Sequence, residues 1–284
     1  MLSAMDQFRR DGLVFDVRDE GPADGPVVVL LHGFPQRNSS WGSIIERLTA
    51  QGYRCLAPNQ RGYSPGARPR RRRDYRIPEL VADVGALIDA SGADRVHVVG
   101  HDWGAAVAWG VAAEYPERLA TVVPVSVPHP AAFLKAIATS KQGLASWYMY
   151  FFQLPFVPEL LLTRRDGALA KAALTRMGQS AAAADRDVAA MREPGALTAG
   201  INWYRGMPLM DPRATGGKVK VPTMFVWSDN DPALLAKGAY DTARYVAGEY
   251  RFEVMTGASH WIPEERPDEL AALLLEWFAA HPTV

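Results

Sequence analysis

The residue with the most chemical consequence is Asp102, at the centre of Gly100-His101-Asp102-Trp103-Gly104. A short apolar run, Arg95 to Val99, leads into it, and the small-residue segment Ala105-Ala106-Val107-Ala108-Trp109 leads out. Strand, Gly-x-nucleophile-x-Gly and helix make a nucleophile elbow, a strained turn that lifts one side chain above a sheet. Glycines flank it because a Cβ on either side would crowd the strand-to-helix crossing. Such an elbow commonly holds serine, and a carboxylate there changes the chemistry. Attack on a carbonyl would give an anhydride, whereas attack on a saturated carbon gives an ordinary ester. The expected target is therefore an sp³ carbon with a leaving group, an epoxide or an alkyl halide.

Two further segments supply partners. Trp227-Ser228-Asp229-Asn230-Asp231-Pro232 follows an apolar run, and so does Gly257-Ala258-Ser259-His260-Trp261-Ile262-Pro263. Both therefore fall at the carboxyl edge of a parallel sheet, where such folds place their chemistry. The chain order Asp102, acid, His260 is the one found with nucleophile elbows. Either Asp229 or Asp231 can be the acid, and Asp229 also suits a turn residue bonded to its own backbone. His32-Gly33-Phe34-Pro35 follows another apolar run, which makes the Phe34 N–H one donor of an oxyanion hole and the Trp103 N–H the other. Pro35 restricts Phe34, in the kind of tight turn where a cis bond is common.

The elements needed to hold these groups are legible around them. Leu13–Val17 and its upstream neighbour read as an opening hairpin. Val27–Leu31 is apolar throughout, as expected of a strand covered on both faces. Helical spacing over Trp41–Leu48, the strand around Cys55, a helix opened by Pro78, and the strand Leu119–Val125 continue a βα alternation. It predicts an α/β fold with a mostly parallel sheet and helices on both faces. From about Pro130 to Pro212 the chain reads as helix without a strand; alternation then resumes at Val221–Trp227 and Tyr250–Met255 and closes with a helix over Asp268–Ala279. The expected organisation is a core of residues 1–129 and 214–284 with a helical cap, residues 130–213.

With 284 residues, and 31 basic against 31 acidic side chains, the chain is long enough for a full core. Its neutral balance gives no reason to expect a nucleic-acid partner. Arg70–Arg73 reads as a solvated loop. Cys55 is the only cysteine and reads as a buried strand residue, which suits a reducing compartment. No apolar block suggests a signal peptide or a membrane span, so a soluble cytoplasmic protein, monomer or homodimer, is expected.

Taken together, the His32–Pro35, Gly100–Gly104, Ser228–Pro232 and Ser259–Trp261 segments resemble the epoxide hydrolases of the α/β-hydrolase fold, and the resemblance spans nearly the whole chain. It implies Asp102 as nucleophile, Asp231 as the acid that orients His260, and no metal or organic cofactor. Asn202-Trp203-Tyr204-Arg205 resembles the segment carrying one ring-opening tyrosine, which points to Tyr204. The segment Trp147–Gln153 resembles the one carrying the other, which points to Tyr148, with Tyr150 a rival on the same segment. The aromatic run from Trp147 to Phe156 suggests a small apolar epoxide as partner, and serves equally as packing or a dimer contact. A haloalkane dehalogenase shares the aspartate and Trp103, but commonly has a halide donor, often asparagine, where Phe34 stands. A non-catalytic receptor for hydrophobic ligands would have no use for all three triad groups.

Overall fold

The computed structural model describes residues 4–209 and 217–283. Eight strands form one sheet: β1 (Gln7–Arg10), β2 (Leu13–Glu20), β3 (Val27–Leu31), β4 (Arg54–Pro58), β5 (Val96–His101), β6 (Leu119–Val125), β7 (Thr223–Ser228) and β8 (Tyr250–Met255). Their spatial order is β1-β2-β4-β3-β5-β6-β7-β8. Only the β1–β2 and β2–β4 pairs are antiparallel; the pairs from β4 to β8 are parallel. The expected opening hairpin is thus the antiparallel margin of a parallel sheet.

The uniform burial of β3 follows from its two-sided packing. Val28 and Leu30 point to one face, with Trp41, Ile44 and Leu48 near α1 (Gly42–Thr49) and Trp277 and Phe278 of the carboxyl-terminal helix. Val27, Val29 and Leu31 point to the other, with Leu87 and Ile88 of α2 (Ile77–Ser91) and Val107 and Val111 of α3 (Trp103–Glu114). Each such side chain, fully buried, stabilises the fold by about 1.5–3 kcal/mol. Strand β5 runs two residues beyond the expected end at Val99. Gly100 and His101 still pair with Pro124 and Val125 of β6, so the chain stays extended right up to Asp102.

Between β6 and β7 the described residues are helical, as expected: α4 (Pro130–Thr139), α5 (Gln142–Ala145), α6 (Trp147–Phe151), α7 (Val157–Thr163), α8 (Ala168–Arg176), α9 (Ala181–Met191) and α10 (Ala196–Gly206). The expected boundary at 213–214 lies outside the described residues. After β7 come α11 (Ala236–Asp241), α12 (Ile262–Glu265) and α13 (Pro267–Ala280). Trp203 of α10 donates its indole N–H to the Arg61 carbonyl at 2.8 Å, one tie between insertion and core. Arg70–Arg73 is exposed, partly as a 3-10 turn, and Cys55 is buried in β4. Among the described residues no helix is long and apolar enough to cross a membrane.

The tightest approach in the core is at α3. A Cβ on Gly104 would stand 2.0 Å from the Leu31 carbonyl oxygen, and one on Gly100 would stand 2.1 Å from the Gly104 carbonyl. Both obstacles are backbone and cannot rotate away. Gly104→Ala is expected to destabilise the protein by about 3 kcal/mol, the upper range for overpacking, read as a lowered urea midpoint at unchanged slope.

Candidate active site

Asp102 connects β5 to α3 with φ +53° and ψ −121°. Positive φ is costly for a residue with a Cβ and persists only where the surroundings enforce it. Here β5 is paired on both edges, α3 is pressed against Leu31, and Gly33 lies so close that its own Cβ would meet Asp102 at 2.3 Å. The side chain is consequently raised off the sheet edge, partly exposed at 13%.

The loops after three strands converge on it. After β3, the Phe34 N–H donates to Asp102 Oδ1 at 2.8 Å, and the Phe34–Pro35 bond is cis. The Trp103 backbone N–H also favours the charged carboxylate. Both expected oxyanion donors therefore address the same carboxylate. After β8, His260 places Nε2 3.5 Å from Asp102 Oδ2. After β7, Asp231 Oδ2 lies 2.6 Å from His260 Nδ1, while its Oδ1 accepts from the Ala233 and Leu234 N–H groups at 2.8 and 3.0 Å. Asp229 is exposed in the same turn and, rather than bonding its own backbone, accepts from the Gly257 N–H of the loop after β8 at 2.7 Å.

The electrostatics couple the three groups. Burial alone would raise the Asp102 pKa, yet the adjacent His260 reverses the sign and holds it below the ordinary carboxylate value. Burial would likewise strip the proton from His260, but Asp231 and Asp102 outweigh it and raise its pKa to about 10. Other buried histidines behave oppositely: burial is the main cause that lowers His32 and His101, beside the site, to about 4, and His97, packed on Phe278 away from it, to about 3.

Over Asp102 stands an aromatic wall from the insertion. Tyr204 of α10 is buried and lies edge-on to Trp103 (5.0 Å), Phe34 (5.5 Å) and Tyr148 (6.0 Å). Burial and then the Asp102 charge push its pKa well above the ordinary phenol value. The same two causes, in the same order, raise Tyr148. Helix α6 has two faces. Tyr148 and the adjoining Phe152 turn inward, whereas Trp147 and Tyr150 are 64% and 63% exposed, and Phe156 further on is 83% exposed. Helical periodicity thus divides the aromatic run between the two readings open to it, and only part of it turns toward Tyr204 and Phe34. Among the described residues no group of three or more His, Cys, Asp or Glu side chains is arranged to hold a metal ion.

Two contributors were not singled out from sequence. His101, the unassigned second residue of the elbow, faces the His260 carbonyl with Nε2 at 2.8 Å, and the Ser126 hydroxyl donates to the same oxygen at 3.2 Å. His101 was visible in the motif; nothing in the run Val125-Ser126-Val127 marks Ser126.

A family profile described as alpha/beta hydrolase fold matches residues 26–267. The chain is 36% identical to the AB hydrolase superfamily protein YfhM of Bacillus subtilis over 273 residues, covering 94% of this chain and 95% of that protein. It is 33% identical to epoxide hydrolase A of Mycobacterium tuberculosis, covering 94% of each, and 31% identical to human epoxide hydrolase 4, covering 94% of this chain and 76% of that one. The crystal structure of epoxide hydrolase A from Mycobacterium thermoresistibile superposes with a TM-score of 0.83 over 99% of each chain at 28% identity. By sequence along nearly its full length and by fold, the chain belongs to the epoxide hydrolases of the α/β-hydrolase family.

Proposed function

We propose that this protein converts a small apolar epoxide and water to a vicinal diol through an ester on Asp102, with the helical insertion acting as a cap over the site. The observation that carries the reading is the placement of His260 between two carboxylates, 2.6 Å from Asp231 and 3.5 Å from Asp102. Asp102, already ionised, attacks an epoxide carbon and the C–O bond breaks. Tyr204 and Tyr148, kept protonated by burial, donate to the departing oxygen, and one phenol gives up its proton.

Ester formation then acts on the histidine. It cancels the Asp102 charge, one of the two that stabilise the imidazolium, so the His260 pKa falls. The proton it releases replaces the one lost by the phenol. Neutral His260, oriented by Asp231, deprotonates water, which attacks the ester carbonyl. The Phe34 and Trp103 N–H groups hold the developing oxyanion. Departure of the diol restores ionised Asp102, imidazolium and phenol, so the proton count closes.

In a single turnover with excess enzyme in ¹⁸O-labelled water, the diol is expected to carry no solvent oxygen at first, and Asp102→Asn is expected to form none. Label in the first diol would overturn the ester. Tyr204→Phe is expected to slow ester formation roughly a hundredfold, and Tyr148→Phe/Tyr204→Phe further still, measured by rapid-quench trapping of the intermediate. The His260 charge also has a stability signature. Its folded pKa is raised, so its contribution is fully present below about pH 6.5 and lost as pH rises through about 10. Urea unfolding should therefore show the advantage of wild type over His260→Gln narrowing steadily across that window; a constant difference would contradict the assignment.

A further inference from the structure

The loop bearing His260 is gripped from two sides. The core side holds its carbonyl through His101 and Ser126, and Glu265 accepts from the Ser259 N–H at 2.8 Å and from its hydroxyl. The other grip comes from the insertion, at the corner joining α8 to α9. Gly178, with φ +97°, presses so closely on the loop that a Cβ there would stand 2.4 Å from the Cβ of Ser259. Arg186 of α9 donates to Glu264 Oε1 at 2.6 Å, and Glu264 lies on α12, four residues after His260. The second oxygen of Glu264 accepts from the Gln36 side-chain amide at 2.5 Å, and Oε1 of that amide lies 3.2 Å from His101 Nδ1. Arg186 is itself steadied by Asp187 at 2.8 Å, whose other oxygen accepts from Gln179, the neighbour of Gly178, at 2.6 Å.

We propose that this corner of the insertion is a positioning clamp on the His260 loop, with Gly178 and Arg186 setting the rate of ester hydrolysis without touching the reacting atoms. The argument is geometric. Arg186 is about a third exposed, and water screens much of its attraction to Glu264. What the contacts supply is location, and a base displaced by a fraction of an ångström loses its line to the attacking water. Ester formation makes no such demand, because Asp102 is ionised beforehand and the phenols come from α6 and α10, away from this corner. The clamp rests on the reading of His260 as the base of the second step.

The test separates the two steps, with styrene oxide as probe, by rapid quench and mass measurement of the esterified protein. Gly178→Ala and Arg186→Met are expected to slow ester hydrolysis about tenfold or more, so that ester accumulates, while ester formation stays within about twofold. Arg186→Lys, which retains a cation for Glu264, is expected to recover most of the loss. Equal slowing of both steps, or no change in hydrolysis, would overturn the clamp; if Gly178→Ala does not fold, the Arg186 pair decides. His260→Gln serves as reference: if it accumulates no ester, the base assignment fails, whereas ester there with wild-type hydrolysis in the Arg186→Met protein removes only the clamp.

Discussion

The architecture depends on the approach of backbone to backbone where α3 leaves β5. Gly100 and Gly104 let the chain turn within contact of Leu31, and Gly33 lets the neighbouring loop come up against Asp102. A two-sided hydrophobic core packs β3 and β5 beneath that crossing, so the strain in one residue is borne by many. Phe34, Asp231 and His260 all reach the site from loops at the same sheet edge. The parallel arrangement brings together residues as distant in sequence as Phe34 and His260.

Charge organises the site around a single proton. The imidazole of His260 lies between two carboxylates that favour its charged form; in the mechanism proposed above, neutralising one of them is the event that makes it a base. The carboxylate pair also accounts for the contrast with the other buried histidines, which have no carboxylate pair and are held neutral by desolvation.

Much of this was legible in the residues. Motif spacing around Asp102 and His260, and uninterrupted apolar runs such as Val27–Leu31, are local signals, and they located the strands and the loops that follow them. The choice between Asp229 and Asp231 was open on local grounds because both sit in one post-strand turn; what local sequence could not show is that Asp231 is the carboxylate that meets an imidazole 29 residues further on. The aromatic run from Trp147 stayed open between substrate wall and packing for a related reason. Composition says that a segment is apolar, but only helical phase says that Tyr148 faces in while Trp147 and Tyr150 face out. Contacts of Gly178 and Arg186 with the histidine loop had no local mark at all, being products of how the insertion is seated.

The backbone angles of Asp102 carry a consequence beyond this chain. A positive φ is tolerable for aspartate but strongly opposed by branching at Cβ. Threonine, though it bears a hydroxyl, is therefore shut out of the position by its own shape before its reactivity is ever in question. The turn thus filters which functional groups evolution can audition there, and the repertoire of reactions open to the scaffold is narrowed first by stereochemistry and only afterwards by acidity.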